Sequence, residues 1–138
     1  LNIKFRGKRV ADGDWTYGWL VIENNGTAWI SRHFHKGEWE QVDPATVSQF
    51  TGEHEQMGRK GKEIYVGDIV EISTLGINYE NKLIRGVVDF VDGCYEVEFS
   101  QPVYDIGLKC QRHRLYIKCF VVNRAIKVIG NIHEPLTA

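Results

Sequence analysis

The sequence predicts a mainly β fold with long loops and at most one or two short helical turns. Three observations carry that expectation. Aromatic residues recur every second position from Trp15 to Trp19 with Val21 next in the series, Asp92-Gly93 sits between two arms of alternating apolar residues, and two β-branched runs lie near the C-terminal end.

Taking the elements in order, Ile3 to Val10 reads as a first strand that breaks at Asp12-Gly13. Trp15, Tyr17, Trp19 and Val21 then share one strand face, while Thr16, Gly18, Leu20 and Ile22 point the other way. Asn24-Asn25-Gly26 tolerates positive φ and Thr27 to Arg32 resumes the pattern, so 15–32 reads as a hairpin beside the first strand. The next stretch, His33 to Glu40, is polar. Asp43 can cap one helical turn with Pro44 at its first position, ending by Phe50-Thr51-Gly52, and Glu53 to Lys62 reads as a charged surface loop.

Ile64 to Ser73 reads as two strand pieces pivoting on Gly67-Asp68, with Val70 and Ile72 facing one way and Glu71 the other. Leu75 to Asn81 reads as a loop. Around Asp92-Gly93 a two-residue turn sets Phe90 opposite Tyr95 and Val88 opposite Val97, all four on one buried face. The same register sets Asp89 against Glu96, which is unfavourable unless a cation from a neighbouring strand sits close. Residues 101–114 are polar with no clear period. Leu115 to Val122 and Ile126 to Ile132 read as buried strands joined by a turn at Asn123-Arg124.

Composition bounds the function. With 138 residues, 43% hydrophobic and 25% charged, the chain has the size and balance of one ordinary globular domain, 1–138. Seventeen Lys and Arg against eighteen Asp and Glu give a net charge of −1, whereas dedicated duplex-binding domains are basic. Three cysteines without a C-x-x-C pair suit reduced thiols in a cytoplasm better than a disulfide framework. No apolar run has the length of a membrane span, and LNIKFRGKRV lacks the apolar core of a signal peptide, so neither membrane nor export is expected.

Chemical motifs are sparse. Gly61-Lys62 lacks the earlier glycine and the following Ser or Thr of a phosphate loop. His33 with His35, or Cys110, His113 and Cys119, fall short of a four-ligand zinc set, so no metal or other cofactor is expected. There is no Gly-x-Ser-x-Gly elbow, and Glu53, Glu55, Glu63 and Asp68 read as loop carboxylates, so the chain is read as a non-enzyme. One surface stands out: Lys4, Arg6 and Lys8 alternate on one strand face, with Arg9 next to them and Trp15 and Trp19 close by. Cations beside aromatic rings hold single-stranded nucleic acids. The simpler alternative makes the tryptophans core and leaves the cations to water.

Several of these segments together resemble the YopX family of phage and prophage proteins. The resemblance rests on Ile3 to Arg9 with Trp15, Gly18 and Leu20, on Val42 to Gly52, Gly61 to Val70, Gly86-Val87-Val88, and Val128 to Leu136. Ser48, Glu53-His54-Glu55 and the short HEPL tail depart from the family pattern, and 75–85 and 100–125 show none. The resemblance implies a small SH3-like barrel or roll working in the cytoplasm of a bacterial host. The family has no established activity, so it supplies no site residues. The chain is therefore read as a non-enzymatic accessory protein that binds a host or phage macromolecule or self-associates, with nucleic acid as the alternative partner.

Overall fold

The structure, a computed structural model, describes residues 3–33, 37–55, 61–121, 126–134 and 136. The chain divides into two compact units, Leu1–Gly52 and Glu53–Ala138.

In the first unit, β1 (Phe5–Lys8), β2 (Trp15–Ile22), β3 (Ala28–Ser31), β4 (Glu40–Val42) and β5 (Ser48–His54) build an antiparallel sheet in the order β4-β3-β2-β1-β5. Its hydrophobic core cluster is aliphatic: Ala28, Ile30 and Val42, with Phe5, Leu20 and Val47 packed on them. The tryptophans are not among them, contrary to the simpler sequence expectation. The β2–β3 turn forms at Asn24-Asn25-Gly26 as the sequence suggests, with Gly26 at φ +88° and Thr27 N–H donating to Asn25 Oδ1. Gly18 has φ +151°, and a Cβ there would collide with the Ser31 carbonyl oxygen. Only glycine lets β2 and β3 meet this closely.

Asp43 accepts a hydrogen bond from Ala45 N–H and Pro44 opens the 3₁₀ turn Pro44–Thr46, so the predicted cap is in place. The segment after this turn departs from expectation. Residues read as the end of the turn and the start of a loop form the seven-residue β5, whose polar, Gly-bearing sequence hides its period. β5 carries the chain from the first unit into the second, where Glu55 N–H donates to Lys62 O ahead of β6 (Glu63–Tyr65).

The second unit holds β7 (Asp68–Ser73), α1 (Leu75–Asn78), β8 (Leu83–Val91), β9 (Cys94–Asp105), β10 (Cys110–Tyr116), α2 (Lys118–Val121) and β11 (Ile126–Asn131). Its antiparallel sheet runs β10-β9-β8-β7-β11. Val70, Ile72, Val88, Val97 and Phe99 fill its core, where Phe99 meets Phe120 edge-on at 6.0 Å. Asp68, fully buried, accepts the Tyr65 N–H at 2.8 Å and closes the pivot at Gly67.

The hairpin register matches the sequence reading pair for pair, Val88 with Val97, Asp89 with Glu96 and Phe90 with Tyr95. Asp92 and Gly93 both have positive φ, as a type I′ turn requires. Burial matches for Val88 and Val97 only. Phe90, close to the turn, is 51% exposed and leans on Tyr95 at 4.9 Å. The cation that this register needs is Arg114 of β10, which reaches Asp89 at 3.2 Å, Glu98 at 3.0 Å and Glu96 at 3.8 Å.

Three further expectations are corrected. The Leu75–Asn81 loop contains the helical turn α1, and the described part of the expected Leu115 to Val122 strand, through Val121, is the end of β10 followed by α2, because Ile117 and Phe120 turn inward three residues apart. Among the described residues the helical structure is confined to the 3₁₀ turn and these two single turns. Residues 101–114 are a second hairpin whose register shifts between Arg112 and Arg114, and that bulge breaks the alternation. The Asn123-Arg124 turn lies outside the described residues. No closed barrel forms among the described residues, since closure needs the end strands of a sheet to pair, and β10 and β11 stand at opposite ends of theirs. Among these residues no helix is long and apolar enough to cross a membrane.

Two substitutions test this arrangement by urea denaturation. Val97→Asp places an unpartnered carboxylate in a fully buried site and is expected to cost about 3 kcal/mol or more. Arg114→Ala leaves three carboxylates together on a partly exposed sheet face and is expected to cost about 1 kcal/mol, more at low salt. Equal losses would contradict the register.

Candidate functional site

Residues directly opposed in an antiparallel pair lie on the same face of the sheet. In the first unit the pairs are Arg6 with Tyr17, Lys8 with Trp15, Trp19 with Ser31 and Val21 with Trp29. One face therefore carries Lys4, Arg6 and Lys8 together with Trp15, Tyr17, Trp19, Val21 and Trp29. The opposite face carries the aliphatic residues, with Leu20 against Ile30 and Ile22 against Ala28.

The alternating cations meet aromatic rings directly. Arg6 lies over Trp15 at 4.5 Å, Lys8 over the same indole at 5.4 Å, and Lys4 over Phe50 at 5.3 Å. The Arg6 Nε–H also donates to Ser48 Oγ at 3.1 Å, and the residue is only 5% exposed. These contacts use the charges within the sheet, as cation–π pairs do. Trp19 shares the face but lies four residues along β2, about 13 Å away by strand geometry, and is 48% exposed.

Arg9 does not join this group. Next in sequence to Lys8, it belongs to the other face, where its guanidinium bonds Asp12 at 3.0 Å and Glu40 at 2.9 Å, with Asp14 at 3.8 Å. Glu40 also accepts the Thr16 hydroxyl at 2.9 Å. The hydrogen bonds from Arg9 to Asp12 and Glu40 raise its pKa further. Desolvation pushes the Glu40 carboxyl up, but Thr16 and Arg9 together outweigh it and hold the pKa below its ordinary value. Asp12 is lowered by the Asp14 N–H and then by Arg9. Of the six residues singled out in sequence, four gather, Trp19 stands apart on the same face, and Arg9 is committed to carboxylates.

Further along that face lies an open groove of about 600 Å³ lined by Val21, Glu23, Trp29 and Trp39. The Trp29 Nε1–H donates to Glu23 Oε1 at 2.6 Å, a short charge-assisted bond that fixes both side chains. Sequence reading missed this groove. The hairpin turn at Asn25-Gly26 could have set Trp29 against Val21, but Trp39 comes after a polar connection with no period.

The remaining motifs lead elsewhere. His33, Cys110 and Cys119 are exposed, Cys94 is partly buried, and His35 lies outside the described residues. Among the described residues no three His, Cys, Asp or Glu side chains group so as to hold a metal. Glu55 accepts the Val128 N–H at 2.7 Å and Glu63 the Tyr65 hydroxyl at 3.0 Å, so these carboxylates, like Asp68, tie segments of the fold together.

The family model described as YopX protein matches residues 4–135. No curated protein and no solved structure matches the chain. The chain belongs to the YopX family.

The Arg9 cluster gives a pH signature. Carboxylates whose folded pKa is depressed stabilise the fold above their ordinary value and lose that contribution as pH falls through the folded one. Glu40→Gln should therefore be less stable than wild type near neutral pH, and the two should converge below the ordinary glutamate value of 4.5. Urea midpoints measured from neutral to acid pH check this. A constant gap would contradict the ion pairing.

Proposed function

Taking the family membership as its premise, we propose that this protein is a phage or prophage accessory protein of the bacterial cytoplasm that acts by binding another protein and not by catalysis. The observation that carries this reading is the groove of Val21, Glu23, Trp29 and Trp39, beside the half-exposed Trp19, on a face the aliphatic core does not use. Aromatic side chains that are held in place yet reachable suit a docking surface, because they offer large contact area at low entropic cost.

Nucleic acid is the second reading, favoured by the cations over Trp15 and Phe50. It ranks below a protein partner for three reasons. Arg6 is almost wholly buried, Arg9 is engaged by carboxylates, and among the described residues the charge lining the groove is the acidic Glu23. A second copy of the chain is one candidate for the protein partner. The order β10-β9-β8-β7-β11 supports an SH3-like roll for the second unit: a four-strand meander, a helical turn, and a last strand that returns beside the first.

Affinity capture from infected or lysogenic cells tests the reading. Wild type is expected to retain a protein that both Trp19→Ala and Trp39→Ala lose, with the melting temperature of each variant as control for folding. An unchanged set of captured proteins, or oligonucleotide binding at physiological salt that is abolished by Lys4→Glu with Lys8→Glu, would overturn it.

A further inference from the structure

Resting on the reading that this groove is the docking site, we infer that it recognises an arginine side chain of the partner protein, its guanidinium seated against the Trp29 and Trp39 indoles and paired with Glu23. The chemistry of the lining is one-sided. Among the described residues it consists of two indoles, one valine and one carboxylate, with no cation. Among the described residues no Lys or Arg forms an ion pair with Glu23, whose carboxylate instead accepts the Trp29 Nε1–H. A carboxylate has about four lone-pair sites, and this bond uses one.

The bond also prepares the ring. An indole whose N–H donates to an anion becomes richer in π electron density, which strengthens its attraction for a cation above its face. Arginine fits better than lysine, because a planar guanidinium can lie flat on an indole while its edge N–H groups address a carboxylate. The same sheet face already contains that pairing, Arg6 over Trp15 at 4.5 Å, so the local geometry accommodates it. A phosphate in the groove would face Glu23, with no compensating charge among the described lining residues.

The four indole N–H resonances of the ¹⁵N-labelled full chain, assigned by single Trp→Phe substitutions, report each tryptophan separately. The probes are capped tripeptides Leu-Arg-Leu and Leu-citrulline-Leu, with oligothymidylate as the nucleic-acid arm. Citrulline keeps the shape and removes the charge. The arginine peptide is expected to shift the Trp29 and Trp39 resonances saturably, and the citrulline peptide to bind about tenfold more weakly. Glu23→Gln, which retains an acceptor for the Trp29 N–H, should weaken the arginine peptide by a similar factor while leaving the citrulline peptide unchanged.

Equal binding of the two peptides, no saturable shift with arginine, or a preference of these two indoles for oligothymidylate would each overturn the inference. If the peptides fail while cellular capture still depends on Trp39, docking stands and only the recognition of arginine falls. If both fail, the docking reading falls with it.

Discussion

The pairing of β1 with β2 is the constraint on which the first unit depends. By setting Arg6 opposite Tyr17 and Lys8 opposite Trp15, it fixes the face of every side chain on both strands, because a slip of one residue would exchange the two faces. The aliphatic face closes over Ala28, Ile30 and Val42. Gly7 serves that closure, since a Cβ there would come within 3.0 Å of Val42. The other face is left with cations and rings, which stabilise one another at the β1 end and leave the groove at the β3 end.

Charge is handled differently in the second unit. The β8–β9 register that buries Val88 against Val97 necessarily places Asp89 against Glu96, so core and surface compete for one alignment. Burying two valines is worth a few kcal/mol, well above the penalty of one partly exposed like-charge pair. Arg114 removes most of the conflict by bridging Asp89 and Glu98 from β10. The bulge between Arg112 and Arg114 bends the strand that carries it.

The elements legible in the sequence are those whose signals are local. The β2–β3 and β8–β9 hairpins could be read because turn residues and alternating arms are adjacent in the chain, and the Asp43-Pro44 cap is a four-residue signal. β5 could not, since Ser48, Gln49 and Gly52 mask its period and its place beside β1 is set by a partner more than 40 residues away. α2 was hidden for the opposite reason. Lys118 to Val121 is rich in apolar residues that suit a strand, and only the inward turn of Ile117 and Phe120 makes it helical. The site was half legible: alternation put the cations and Trp15 on one face, but parity alone also puts Arg9 on the other, and Trp39 has no local signal at all.

The placement of the tryptophans is the step that connects the fold to the proposed function. Each indole offers the largest apolar surface of any side chain, and a core deprived of such surface is normally less stable. Here neither core cluster contains one, since the first is built of Ala28, Ile30 and Val42 and the second of aliphatic residues with Phe99 and Phe120. Trp15 is engaged by Arg6 and Lys8, but Trp19, Trp29 and Trp39 line or flank an open surface where they contribute less to folding than they could inside. Scattered exposed apolar residues are ordinary, whereas rings gathered on one sheet face, one of them fixed by a carboxylate, are the feature on which the proposed docking role rests.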